Sequence, residues 1–181
     1  MQSHILYREN VSVRIRVIGI LLFAVATAVS ARLSALVPNS PVPLTMQVLV
    51  VVLSGLVLGP RDGFLAQAVY LQAILAGAPL TAAGLGGPLA FAAPTAGYLI
   101  SFPLAALVAG WLGQRAQAGA WLWRALGSMA ALIVIYSLGT AWLAGYVGGL
   151  SNAWALGAVP FIGADLLKIL IVTAALSLRS R

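Results

Sequence analysis

The amino-acid sequence predicts an all-α integral membrane protein, a compact bundle of six transmembrane helices with both termini on the cytoplasmic side. Three observations carry this prediction. Hydrophobic residues fill 62% of the 181 positions and charged residues only 7%, against about 25% charged in soluble domains. Mean hydropathy is +1.05, which is more apolar surface than a core of this size can hide from water, so the solvent is lipid. The charges are also segregated, since residues 33–60, 63–114 and 125–164 carry none. Abundant alanine and glycine with modest aromatic content favour close-packed helices over a barrel.

Residues 1–181 read as one membrane domain with six helices. The first spans 15–36, follows Arg14 and Arg16, and reads as a retained helix rather than a cleaved leader. Pro38, Pro41 and Pro43 interrupt the chain before the second, at 44–58, which stops at Gly59-Pro60. The third covers 63–78. Glycines and prolines between 77 and 94 read as loop, and the fourth helix covers 95–113 with Pro103 as a kink site. The fifth covers 122–147 and the sixth 162–178. Helices two and three are short for a hydrocarbon core of about 30 Å.

Sidedness follows from the basic residues. Arg8, Arg14, Arg16, Arg61, Arg115, Arg124, Arg179 and Arg181 all fall on one side of a six-helix arrangement, and the positive-inside rule makes that side cytoplasmic. Arg32 and Lys168 fall toward the other side.

Much chemistry is excluded. There is no cysteine, and the one histidine, His4, sits in the polar N-terminal tail, so thiolate and histidine chemistry are nearly empty. No phosphate-cradling Gly-x-x-x-x-Gly-Lys-Ser/Thr loop is present, and three carboxylates leave little for acid–base catalysis. No cofactor is expected, and the reading is of a non-enzyme.

One constellation stands out. Asp165 and Lys168 share a helix face three residues apart, in a setting where each charge costs about 2.5–3.5 kcal/mol at mid-helix. Helical rise puts them about 6 Å and about 10 Å below the outer end of the sixth helix. A ligand site and a structural ion pair both fit. Arg32, near the outer end of the first helix, is either a snorkelling residue or a second cation at the mouth of a site. Tyr98 is a candidate to stack on a ligand. Gln47, Gln67, Gln72 and Tyr70 are expected to bond between helices, and Trp111, Trp121, Trp123, Trp142, Tyr146 and Trp154 to supply interface anchors. Small residues four apart, Ala24 and Ala28, Ala26 and Ser30, Gly55 and Gly59, and Gly145 and Gly149, permit close helix approach.

Five segments in order resemble the BioY family, the biotin-binding S components of energy-coupling-factor (ECF) transporters. They are PVPLTMQ (41–47), GLVLGPRDG (55–63), YLQAILAGAPL (70–80), APTAGYLISFP (93–103) and GADLLKI (163–169). Ala93 and Ala96 depart from the family's Gly-Pro-Thr-Gly-Gly-Tyr element, and Thr81 and Ala83 from its usual loop residues. The resemblance implies a six-helix S component of the bacterial cytoplasmic membrane. It would bind biotin and work with a transmembrane coupling protein and ABC-type ATPases. Asp165, Lys168 and Tyr98 match the family's ligand residues, and Ala24 and Ala28 its partner contact. Asp165, Lys168 and biotin together carry one net negative charge, which Arg32 would cancel in a site sealed from water. The connections 37–43, 77–94 and 147–161 are expected to close over the ligand. An S component for another vitamin, a membrane-embedded enzyme using Asp165 and a structural subunit are the competing readings.

Overall fold

In the computed structural model, residues 12–115 and 120–178 are described. His4, Arg8, Arg179 and Arg181 lie outside them. The elements are α1 (Val13–Arg32), β1 (Ser34–Ala35), β2 (Leu44–Thr45), α2 (Gln47–Leu58), α3 (Pro60–Leu75), α4 (Pro88–Phe91), α5 (Ala96–Gly113), α6 (Ala120–Val147), α7 (Leu150–Gly157) and α8 (Val159–Leu178). Among the described residues, four helices are long and apolar enough to cross a membrane: Val13–Arg32, Ala96–Gly113, Trp121–Val147 and Val159–Ser177. With 12 and 16 residues, α2 and α3 are about 18 Å and 24 Å long.

Several boundaries differ from the sequence expectation. The first helix stops at Arg32 rather than 36, because Ser34 and Ala35 pair antiparallel with Thr45 and Leu44. The proline-rich stretch is therefore the loop of a small hairpin, with Asn39 in the left-handed region at φ 62°. The third helix starts at Pro60, ahead of 63. Gly59, at φ 84°, makes the turn, and proline occupies a first-turn position where no N–H partner is needed. The connection 147–161 holds α7, which sequence patterning missed. Gly148 and Gly149 end α6 at φ 81° and 122°, and the eight residues that follow form a helix too short to show a periodic stripe. α8 begins at Val159 rather than 162, with Pro160 in its first turn. Asp165 and Lys168 thus lie about 3 Å further along their helix than counted from Phe161.

The core forms where α2, α3, α5 and α6 meet, around Val51, Val52, Tyr70, Ile74, Phe102, Ile135 and Leu143. Gly55 is central to it. A β-carbon there would collide with the Ala106 carbonyl, and one on Gly110 would lie 2.6 Å from the Gly55 carbonyl. The glycines let α2 and α5 touch backbone to backbone, as small residues do in membrane packing. Gly59 serves the turn, whereas Gly145 faces open space. α1 packs peripherally, burying Ala24, Thr27, Ser30 and Ala31 and exposing Ile18, Leu22, Val25 and Val29. The buried amide of Gln67 joins it to the bundle, donating to Thr27 Oγ1 at 3.2 Å and Ser54 Oγ at 3.0 Å.

The two ends of the bundle differ chemically. At one end, Arg16 grips Asp62 through two hydrogen bonds of 2.8 and 2.6 Å. Arg124 donates to the Leu176 carbonyl at 2.9 Å, and Arg115 lies 3.9 Å from the centre of the Trp111 ring. The other end is formed by the hairpin, residues 76–95 and α7, and apart from Arg32 these carry no charge.

Candidate functional site

A cavity of about 190 Å³ lies at the charge-poor end. Pro41, Val42, Leu99, Phe102, Ile135 and Phe161 supply much of its apolar wall, and Thr45, Gln47, Tyr98, Tyr136 and Asp165 supply polar groups. Among the described residues that line it, Asp165 is the one charged side chain.

Both oxygens of Asp165 are held. Lys168 Nζ donates to Oδ1 at 2.6 Å, and the Tyr136 hydroxyl donates to Oδ2 at 2.6 Å. Lys168 also donates to the Thr45 carbonyl at 2.6 Å. Carboxylate and ammonium are both buried, at 4% and 8% side-chain exposure, so the pair avoids the cost of unpaired burial. The lysine stands behind the carboxylate and does not line the cavity. Three elements therefore meet at Asp165: α8 carries it, α6 contributes Tyr136, and the hairpin is tied in through Thr45.

Tyr98 lines the cavity beneath α7. Its hydroxyl donates to the Gly157 carbonyl at 2.9 Å, which leaves oxygen lone pairs as its remaining capacity. Its ring fills space that a β-carbon on Gly139 or Gly157 would occupy. Gln47 reaches the cavity too, its amide donating to the Tyr70 hydroxyl at 2.8 Å, which donates in turn to the Leu80 carbonyl at 3.2 Å. The expected bonding between helices thus occurs for Gln47, Gln67 and Tyr70, whereas Gln72 is exposed.

Arg32 stands apart from these groups. Its guanidinium donates to the Pro79 carbonyl, tying the end of α1 to the loop after α3, and it does not line the cavity. The loop itself does, through Thr81, Ala82, Ala83 and Leu85. Thr81 braces it by donating to the Leu85 carbonyl and accepting from the Leu85 N–H at 2.7 Å. Ala24 and Ala28 lie elsewhere, along a mostly apolar groove between α1 and α3 with Val69, Ala73 and Leu80, which Arg32 and Tyr70 also line.

Tyr136 and Thr45 are the site residues that sequence reasoning did not reach. Thr45 acts through its backbone carbonyl, which no side-chain pattern reports. Tyr136 had a weak signal as a hydroxyl-bearing ring in the middle of an uncharged span. Two expected interface anchors are exposed and bond to the segment before α5, with Trp142 Nε1 donating to the Ala93 carbonyl at 3.0 Å and the Tyr146 hydroxyl to the Ala92 carbonyl at 2.7 Å. Trp154 sits edge-on to Tyr136.

A bundle of apolar, membrane-length helices with a cavity at its charge-poor end has the fold of an ECF-type S component. The chain superposes on the crystal structure of the S component for biotin from an ECF-type ABC transporter with a TM-score of 0.83 at 20% identity, covering 94% of this chain and 95% of that one. The chain belongs to the BioY family, whose model matches residues 7–181. It is 44% identical over 147 residues to the probable biotin transporter BioY of Pyrococcus horikoshii, covering 81% of this chain and 85% of that protein. It is 40% identical over 158 residues to the biotin transporter BioY of Thermotoga maritima, covering 87% and 90%, and 34% identical to that of Rhizobium etli, covering 84% and 87%.

Proposed function

We propose that this chain binds biotin and serves as the substrate-specific S component of an ECF-type biotin uptake system. The observation that carries this reading is Asp165, a carboxylate facing an apolar cavity as its one charged wall group among the described residues. Biotin combines an apolar bicycle, a ureido edge whose carbonyl is flanked by an N–H donor on each side, and a carboxylate tail. A cavity whose charge is an acceptor suits the ureido edge, and its apolar walls suit the bicycle. The tail carboxylate then lies away from Asp165, toward the mouth. Tyr98 flanks the bicycle. Membership of a family whose relatives carry the name biotin transporter supports the same reading.

Arg32 is proposed to neutralise the tail. It reaches the ligand by exchanging the Pro79 carbonyl for the carboxylate, which couples ligand arrival to the position of the 77–94 loop. α1, α2, α3, α5, α6 and α8 are proposed as six spans with both termini cytoplasmic. Clustering of Arg16, Arg61, Arg115 and Arg124 at the end opposite the cavity supports that orientation. The groove at Ala24 and Ala28 is proposed as the seat of the transmembrane coupling protein, with ABC-type ATPases behind it. Small side chains there admit a close helix contact.

Equilibrium binding of biotin to the purified chain in detergent tests the reading, with Asp165→Asn alongside. Saturable binding by wild type, lost or strongly weakened in the variant, is the expected result. Absence of binding by wild type overturns it. Competition by thiamine or riboflavin separates biotin from other vitamins.

A further inference from the structure

We propose that Tyr136 is a positioning residue of the site, orienting the Asp165 carboxylate so that its remaining lone pairs face the ligand. The inference rests on the biotin reading given above and deepens it. Lys168 is on the same helix as Asp165 and holds one oxygen, Oδ1, at 2.6 Å. A carboxylate held at one oxygen still swings about its terminal torsion, which is broad for aspartate. The second anchor comes from α6, where the Tyr136 hydroxyl holds Oδ2 at 2.6 Å. Two donors from two helices fix the plane of the group. Each oxygen can accept more than one hydrogen bond, so the carboxylate retains capacity for one N–H of a cyclic urea.

Tyr136 is itself well placed to hold still. It is 8% exposed, lines the cavity, and has Trp154 of α7 edge-on to its ring at 6.5 Å between centroids. The ring is therefore braced by the segment that roofs the site. This ties the acceptor geometry of Asp165 to α6 and α7 as well as α8. Selectivity follows, because a carboxylate with a fixed plane aims its free lone pairs at one place, which suits a ligand that presents an N–H donor there.

The test uses Tyr136→Phe, which keeps the ring and removes only the hydroxyl. Biotin binding to the full chain in detergent is compared for wild type and variant, with thermal melting of the ligand-free proteins as a check of folding. Losing a hydrogen bond to a charged group predicts binding weaker by about tenfold or more. Infrared spectroscopy of the ligand-free chain carrying isotope-labelled aspartate supplies a readout that a mere wall residue would not move. The sequence holds two aspartates, Asp62 and Asp165, so subtracting the spectrum of Asp165→Asn isolates the Asp165 carboxylate band. That band is expected to shift in Tyr136→Phe. Wild-type affinity in the variant overturns the proposal, and so does weakened binding with an unshifted band. A wild-type chain that binds no biotin while the band still shifts overturns instead the functional reading beneath it.

Discussion

Lys168 reaches from α8 to the backbone carbonyl of Thr45, 123 residues earlier in the chain, with its ammonium 2.6 Å from the oxygen. The lysine is thus a strut between the hairpin that walls the cavity and the carboxylate inside it. Its charge neutralises Asp165 without entering the cavity. The sequence reading has Lys168 among the ligand residues; its contacts to Asp165 and Thr45 lead us to propose that it also acts by supporting the carboxylate.

Replacing the strut separates a binding site from a structural ion pair. Lys168→Met strands a buried carboxylate and is expected to cost about 3–5 kcal/mol, as breaking a buried pair does. Adding Asp165→Leu removes the stranded group and is expected to recover most of that loss. Biotin binding is expected to vanish in the double variant despite the recovered stability. Thermal melting and equilibrium binding in detergent measure the two effects. Retained binding in the double variant would reduce the pair to glue.

How much was readable from sequence depends on which atoms carry each feature. The apolar spans were legible because lipid as solvent leaves its mark on every residue, and Asp165 was legible because an uncharged background isolates it. The α1 boundary was not, since Ser34 and Ala35 leave the helix to pair with Leu44 and Thr45, a backbone relationship. α7 escaped because eight residues are too few for a stripe. Tyr136 escaped because a lone tyrosine within a span has the same signature whether it anchors an interface or a carboxylate. The partner of Arg32, the Pro79 carbonyl, is likewise a backbone atom that spacing cannot indicate.

Glycines around Tyr98 supply the next prediction. A β-carbon on Gly157 would collide with the Tyr98 hydroxyl, whose hydrogen bond to the Gly157 carbonyl spans 2.9 Å. Gly157→Ala therefore displaces the ring, with an overpacking cost of about 1–3 kcal/mol, and weakens biotin binding. Gly145 faces open space, so Gly145→Ala should change stability by no more than about 1 kcal/mol in the stabilising direction, as glycine-to-alanine does within a helix. Equal effects on melting and binding from the two substitutions would show that the cradle is unimportant.

At the opposite end, Arg16 and Asp62 fasten α1 to α3. Asp62 is 5% exposed and Arg16 43%, so solvent screens the arginine and the pair is weaker than a fully buried one. Asp62→Asn is expected to lower stability by about 1–2 kcal/mol. Biotin affinity should stay within about twofold, because distant sites act independently. A tenfold loss of affinity in this variant would reveal coupling along α1 between the two ends.

Arg32 supplies a prediction with two separable readouts. Its guanidinium holds the Pro79 carbonyl, and the loop beyond, braced by Thr81, lines the cavity. Arg32→Gln removes the cation while leaving a shorter donor. Loss of the contact should speed backbone hydrogen exchange at residues 80–87, since local opening reports local stability. If Arg32 also meets the ligand carboxylate, biotin affinity falls by about tenfold or more, as removal of a charge-assisted hydrogen bond predicts. Biotin methyl ester, which lacks the charge, should then bind wild type and variant alike. Faster exchange with unchanged biotin affinity would make Arg32 a loop latch and leave the tail carboxylate to solvent at the cavity mouth.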